Sequence, residues 1–351
     1  MSRFFHEDFS GLEPYTPGEQ PKNPGLIKLN TNESPFPPSP KVVAAITETE
    51  VRKLNLYPDP ESMELISAAS ACFGLPERNI IAGNGSDELL AFSFMAFQKG
   101  GNVFFPDISY GFYEVYANVY GANPVKIPLK ENLDINIEEY FESKGLVVIA
   151  NPNAQTGTAL KRIEIEDLLR ANRESLILVD EAYVDFGGES SVELVSEYDN
   201  LLVIQTLSKS RNLAGGRVGL AFAEEEIIKD LSKMKYSFNP YNLNRLSILA
   251  AAAALNDKEY FENCMKKIID TREEFVGKMK NLGFLVIPSM ANFVLIRHDK
   301  VSGEDFYNAL RERNILVRHF RNTRIADYVR ITIGKKEDMD ALVAVAKEVI
   351  T

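Results

Sequence analysis

Three short runs, 146–150, 176–179 and 201–205, constrain the fold most. Each is nearly continuous in Val, Ile and Leu, with no alternation of polar and apolar residues. That is the pattern of a strand covered on both faces. Helical stretches separate several such runs, and strands joined through helices close most simply as a parallel sheet. Upstream the same rhythm predicts a helix over 62–73, a strand over 79–82 and a helix opening at Ser86 or Asp87. A strand over 102–105 and an aromatic-rich helix over 111–120 follow. The expected fold class is α/β: a large domain with a mostly parallel sheet flanked by helices.

Both flanks differ from this core. Pro14, Pro17, Pro21, Pro24, Pro35, Pro37, Pro38 and Pro40 exclude helix interiors and central strands. Residues 1–40 therefore read as an extended arm lying on another surface. Beyond 257 a long amphipathic helix over 258–282 leads to strands at 284–287 and 292–297. A helix over 303–313 and strands at 316–318 and 328–333 complete a smaller α+β domain. The expected division is arm 1–40, large domain 41–257 and small domain 258–351, with the arm packing on the last.

Charge limits the partners. Lys and Arg total 39 against 50 Asp and Glu, a net −11, which argues against nucleic acid and anionic membranes as partners. The longest apolar stretch, 246–255, is half the length of a membrane span. No N-terminal apolar segment suggests a leader, so a cytoplasmic protein is expected. Cys72 and Cys264 stand far apart, without a CxxC pair. Neither a disulfide framework nor a metal site is expected, and each cysteine reads as a small buried apolar residue.

Chemistry gathers in a few stretches. Thr206-Leu207-Ser208-Lys209-Ser210-Arg211 runs on to Arg217-Val218-Gly219 directly after an apolar strand, at the sheet edge where open α/β folds bind ligands. A lysine there can lose its proton and attack a carbonyl, while Thr206, Ser208 and Arg217 suit a phosphate. A solvated loop has the same local pattern. Asp180 ends the strand before Glu181-Ala182-Tyr183 and needs a partner if buried; a pyridinium nitrogen would serve, as would a turn capped by its carboxylate. Gly83-Asn84-Gly85-Ser86-Asp87 leads into a helix start, either an anion site or an ordinary cap. Tyr110 offers a ring for stacking on a heteroaromatic ligand, with Phe112, Tyr113 and Tyr116 reading as core. Arg318, Arg321, Arg324 and Arg330 crowd the C-terminal region, and Arg330 lies between Val329 and Ile331 in a strand pattern.

Taken in order, these residues resemble the fold-type I pyridoxal-phosphate enzymes, and within them the histidinol-phosphate aminotransferases. The resemblance runs from Pro14-Tyr15-Thr16-Pro17-Gly18 and Leu29-Asn30-Thr31-Asn32-Glu33-Ser34-Pro35 to Val329-Arg330-Ile331-Thr332-Ile333-Gly334. It implies pyridoxal 5'-phosphate held by Lys209 through a Schiff base. Asp180 would keep the ring nitrogen protonated and Tyr183 would bond the ring's hydroxyl oxygen. Gly85, Ser86, Asp87, Thr206, Ser208 and Arg217 would hold the phosphate, and Tyr110 would stack on the ring. Tyr57 looks like the tyrosine such enzymes send across a homodimer interface to the neighbouring phosphate. Arg330 and Arg318 match arginines that take a substrate anion, and Tyr15 and Asn32 fall on the substrate side.

The implied reaction moves an amino group between L-histidinol phosphate and 2-oxoglutarate or glutamate, in histidine biosynthesis. A threonine-phosphate decarboxylase or an aromatic aminotransferase would share nearly all of these residues. A non-catalytic cofactor-binding protein is the alternative of another class, and a nucleotide-binding α/β enzyme lacks its phosphate-loop fingerprint here. One stretch departs from the family. Asn151-Pro152-Asn153-Ala154-Gln155-Thr156-Gly157 has Ala154 and Gln155 where the family has Asn and Pro. The asparagine that bonds the cofactor hydroxyl is thus missing: either Asn153 reaches across or Tyr183 serves alone.

Overall fold

The computed structural model describes residues 2–21, 25–98 and 101–350; Pro24 of the arm lies outside them. The arm carries strand β1 (Ile27–Lys28) and ends at helix α1 (Pro40–Ala45). Pro40 opens that helix, where a missing N–H breaks no intrahelical bond, and the Ser39 hydroxyl accepts from Val42 N–H as its cap. Helices α2 (Glu48–Arg52) and α3 (Met63–Phe73) follow.

A strand–helix alternation comes next: β2 (Ile80–Gly83), α4 (Ser86–Phe97), β3 (Asn102–Pro106), α5 (Phe112–Val119), β4 (Asn123–Ile127) and β5 (Gly145–Ala150). It continues with α6 (Arg162–Ala171), β6 (Ile177–Asp180), β7 (Leu201–Thr206) and β8 (Gly219–Ala223). The strands form one sheet in the order β2-β8-β7-β6-β5-β3-β4. From β7 to β4 every neighbouring pair is parallel, while β8 runs antiparallel to both β2 and β7. Alternate residues feed two cores. Leu146, Val148, Leu178, Leu202 and Ile204 face one, and Val147, Ile149, Ile177, Val179 and Val203 face the other. That double burial explains why these strands are apolar throughout.

Strand β8 went unread in the sequence because residues 207–218 looked like loop and then function. The segment between β7 and β8 holds only a three-residue 3-10 turn (Ala214–Gly216). With no crossover helix, the chain returns antiparallel.

Helices α7 (Glu225–Phe238), α8 (Arg245–Leu255) and α9 (Lys258–Asn281) lead to the second sheet. The apolar stretch of α8 packs on α1 and α3, and among the described residues no helix is long and apolar enough to cross a membrane. Strands β9 (Leu285–Val286) and β10 (Phe293–Arg297), helix α10 (Gly303–Glu312), strands β11 (Ile315–Leu316), β12 (Arg318–His319) and β13 (Val329–Thr332), and helix α11 (Lys336–Ile350) complete the chain. The second sheet is antiparallel, in the order β12-β13-β10-β9.

Two expectations are corrected. The strand expected over 316–318 is divided: Ile315 and Leu316 pair in parallel with Ile27 and Lys28 of the arm, whereas Arg318 and His319 pair with β13. Cys264 is buried but Cys72 is exposed, because Leu65, Ile66, Ala68 and Ala69 form the buried face of α3. The buried Arg272 of α9 ties the two sheets together. One guanidinium nitrogen donates to Phe186 O (2.9 Å), after β6, and to Ala291 O (2.8 Å), before β10.

Candidate active site

The carboxyl ends of β6 and β7 lie side by side, and Asp180 closes one as Thr206 closes the other. Above them is a cavity of about 720 Å³, bounded by the arm, the start of α4, the loop before α5 and strand β13. Ligands of open α/β sheets occupy this position, outside the strand ends.

Lys209 reaches the cavity from the loop after β7, and its Nζ donates to Thr31 O at 3.2 Å. Loss of surrounding water, reinforced by the charges of Arg330 and Arg217, lowers the amine from the usual 10.5 to about 8. The neutral amine, the nucleophilic form, is therefore present at neutrality and reaches half near pH 8. Reconstitution of the cofactor-free chain with pyridoxal phosphate is expected to quicken as pH rises through about 8 and to level off above it. Stopped-flow absorbance measures this; a rate still climbing near 10.5 would contradict the lowered amine.

Asp180 is 4 % exposed. Burial pushes its carboxyl up to about 6, against the pull of the Tyr113 hydroxyl (2.7 Å to Oδ2) and the Ala182 N–H (3.2 Å to Oδ1). Such a group sits in wait for a cationic partner. Tyr113 is the functional residue that the sequence concealed. It lies on the inner face of α5, fully buried, and its ring reads as core while its hydroxyl serves the carboxylate.

The opposite end of the cavity is an anion cradle. Gly85 adopts φ +81, and a Cβ there would stand 2.7 Å from Arg217. Gly219 is needed for close approach: a Cβ would stand 2.5 Å from Ser86 N, at the first turn of α4. The helix start thus offers free N–H groups with its positive dipole end. The Thr206 hydroxyl donates to Ser208 Oγ at 3.0 Å beside it. A carboxylate would repel a phosphate, so what Asp87 offers here is its N–H and the groups it holds: Arg217 at 3.1 Å and the Tyr110 hydroxyl at 2.8 Å. Tyr110 lines the cavity and meets Tyr15 at 5.9 Å between ring centroids.

On the substrate side, Arg330 donates from Nη1 to Ala154 O (2.8 Å) and lies 5.0 Å from the ring centroid of Phe293 and 5.3 Å from that of Phe320. Its Nε is buried without a partner, as is Ser109 Oγ; both residues border the cavity. Arg318 flanks it and donates to Thr16 O at 3.2 Å. Phe320 carries no sequence signal beyond standing two residues past Arg318.

Three expected residues are placed differently. Asn153 is fully buried but does not line the cavity. Its amide donates to Ile108 O (2.9 Å) and its Oδ1 accepts from Gln155 N (2.9 Å) and Thr156 N (3.1 Å), so the side chain is consumed in shaping its loop. Tyr183 alone of that pair faces the cavity. Tyr57 is 78 % exposed, outside the cavity, and stacks on Tyr241 at 4.5 Å. Asn32 borders the cavity, yet its Nδ2 donates to the Tyr183 hydroxyl at 3.0 Å. Among the described residues no cluster of side chains suits a metal ion.

A neutral-capable amine, a buried acid awaiting a cation, a flanking aromatic ring and an N–H cradle fit pyridoxal phosphate. On the carboxyl edge of a mostly parallel sheet, they define a fold-type I pyridoxal-phosphate enzyme. Residues 24–345 match the family model described as aminotransferase class I and II. A histidinol-phosphate aminotransferase of Clostridium acetobutylicum is 48% identical over 351 residues, covering 100% of both chains. One of Brachyspira hyodysenteriae is 46% identical over 352 residues, covering 100% of this chain and 99% of the other. The solved structure of a histidinol-phosphate aminotransferase from Sinorhizobium meliloti, in complex with pyridoxal-5'-phosphate, superposes with a TM-score of 0.83. It has 25% identity and covers 92% of this chain and 90% of that one. The chain belongs to the class I and II aminotransferases and, within them, to the histidinol-phosphate aminotransferases.

Proposed function

We propose that the protein moves an amino group between L-histidinol phosphate and 2-oxoglutarate or glutamate, as a step of histidine biosynthesis. The observation that carries the reading is Arg330, whose unpartnered Nε and paired aromatic flanks prepare a guanidinium beside the cavity. The fork of an arginine accepts phosphate and carboxylate alike, so one site serves both substrates in turn.

When bound, pyridoxal phosphate supplies an electron-withdrawing ring for the carbon that loses its proton. Lys209 would hold the cofactor, and its free amine would carry the proton from the substrate carbon to the cofactor carbon. Its amine is suited to both transfers because its charged and neutral forms are balanced near pH 8. Asp180 keeps a proton on the ring nitrogen, and Tyr183 bonds the ring's hydroxyl oxygen. Gly85, Ser86, Asp87, Thr206, Ser208 and Arg217 hold the phosphate, and Tyr110 covers the ring. Arg330 and Arg318 fix the substrate anion, with Tyr15 closing over it.

The protein acts as a cytoplasmic homodimer, built from an arm (1–40), a large domain (41–257) and a small domain (258–351). The exposed apolar side chains of Leu54, Leu56, Tyr57, Phe238 and Tyr241 support an interface through which Tyr57 serves the neighbouring phosphate. Arg330→Ala is expected to raise KM for both histidinol phosphate and 2-oxoglutarate. Each change is worth about 2–3 kcal/mol, roughly thirty- to a hundred-and-fifty-fold. Steady-state kinetics with each substrate varied measures it, and a change confined to one substrate would contradict a shared site.

A further inference from the structure

We propose that Asn32 is a positioning residue: it fixes Tyr183 as a hydrogen-bond donor, and never an acceptor, toward the ring oxygen of the cofactor. The proposal rests on the reading that Tyr183 faces that oxygen.

Asn32 is 2 % exposed and sits in the left-handed region at φ +55, a conformation asparagine tolerates better than most residues. Four hydrogen bonds hold it there. Its backbone N–H donates to Thr332 Oγ1 (3.0 Å), its carbonyl accepts from Asn292 Nδ2 (3.0 Å), its Oδ1 accepts from the Thr332 hydroxyl (3.0 Å), and its Nδ2 donates to the Tyr183 hydroxyl (3.0 Å).

The direction of the last bond follows from the others. The Thr332 hydroxyl donates its single proton to Asn32 Oδ1, and with the amide reversed an NH2 would face that hydroxyl and its proton would lose this acceptor. That makes the carbonyl the end facing Thr332 and the NH2 the end facing Tyr183. The tyrosine oxygen is therefore occupied as an acceptor, and its own O–H is left to donate into the cavity. A donated hydrogen bond favours negative charge on the receiving oxygen, and so favours the deprotonated form of the bound cofactor.

The same strand links this device to the substrate. Thr332 and Arg330 are two apart on β13 and share one face of it, so the residue that orients Asn32 stands beside the residue proposed to grip the anion. The charged groups around Tyr183 are Arg330, Asp180 and Asp87, and the Lys209 amine lies 5.9 Å from its ring centroid.

Asn32→Asp tests the proposal, because a carboxylate keeps the shape but accepts the tyrosine proton and reverses the bond. The readout is the pH midpoint of the visible absorbance of the bound pyridoxal phosphate, with no substrate present. Tyr183→Phe is expected to raise this midpoint by about one unit, tenfold in the protonation equilibrium. Asn32→Asp is expected to raise it comparably, and Asn32→Ala by less, since it frees the hydroxyl without reversing it. Adding Asn32→Asp to Tyr183→Phe should move the midpoint no further. A wild-type midpoint in Asn32→Asp, with Tyr183→Phe shifted, overturns the role of Asn32. An unshifted Tyr183→Phe overturns instead the placement of Tyr183. A further shift in the double variant means that Asn32 acts by another route, also against the proposal.

Discussion

Replacing Lys209 with alanine is expected to abolish amino transfer and the visible absorbance of the protein together. In the proposed mechanism the side chain has two duties that no neighbour can assume. It anchors the cofactor covalently, and it carries the proton between the two carbons. Loss of the proton carrier alone costs roughly 10²–10⁴ in rate, and loss of the anchor adds to it. The nearby arginines, Arg330 and Arg217, are no substitute, because a guanidinium carries donors and no acceptor. Folding should survive, because among the described residues the Lys209 side chain makes a single hydrogen bond, to Thr31 O. Turnover, absorbance and thermal unfolding measured on one preparation separate these effects. Retention of activity or of colour in a folded Lys209→Ala chain would contradict the role given to Lys209.

Asp180→Asn is expected to have the second-largest effect, and to move activity and stability in opposite directions. An amide cannot carry the negative charge that holds a proton on the ring nitrogen. Removing such a preorganised electrostatic partner costs roughly 10²–10³ in kcat. The cofactor-free chain should nevertheless gain stability. The carboxyl of Asp180 is raised from 3.8 to about 6 on folding, so the folded state binds a proton that the unfolded state has released. Stability contributed by this group is therefore greatest below 3.8 and falls as pH rises through 6. The amide removes that fall, a gain of up to about 3 kcal/mol at pH 7 that vanishes near pH 4. Unfolding of the cofactor-free wild-type and Asp180→Asn chains at both pH values measures it. A variant less stable than wild type at pH 7 would show that Asp180 contributes more through its bonds to Tyr113 and Ala182 than burial takes away.

The central strands were legible because double burial leaves the same mark on each: a continuous apolar run ending at a polar residue. The lysine loop and Asp180 were legible for the same reason, since each follows such a run. What stayed hidden depends on partners far away in the chain. The division of 316–318 into two strands is dictated by the arm on one side and β13 on the other, and no local pattern in Ile315-Leu316-Val317-Arg318 encodes it. Tyr113 could not be told from a core ring until its hydroxyl was seen to meet Asp180. Asn153 looked available because its own loop, folded back on Ile108 O, is what consumes its amide. Asn32 was expected on the substrate side, and only its bonds to the Tyr183 hydroxyl and to the Thr332 hydroxyl, 300 residues on, show which way its amide points.

Net charge illustrates the same limit. The −11 balance speaks against polyanionic partners, yet Arg217, Arg318 and Arg330 converge on one cavity and make a local cationic site. Desolvation and proximity, which composition cannot express, decide what enters there.

Titrating the pyridoxal-phosphate-loaded protein with candidate amino donors, followed by visible absorbance, tests the proposed reaction most directly. Histidinol phosphate and glutamate should each bleach the band, and 2-oxoglutarate should restore it. Threonine phosphate should leave it unchanged and release no carbon dioxide. A band that persists under histidinol phosphate, or that responds to threonine phosphate with release of carbon dioxide, would contradict the assignment.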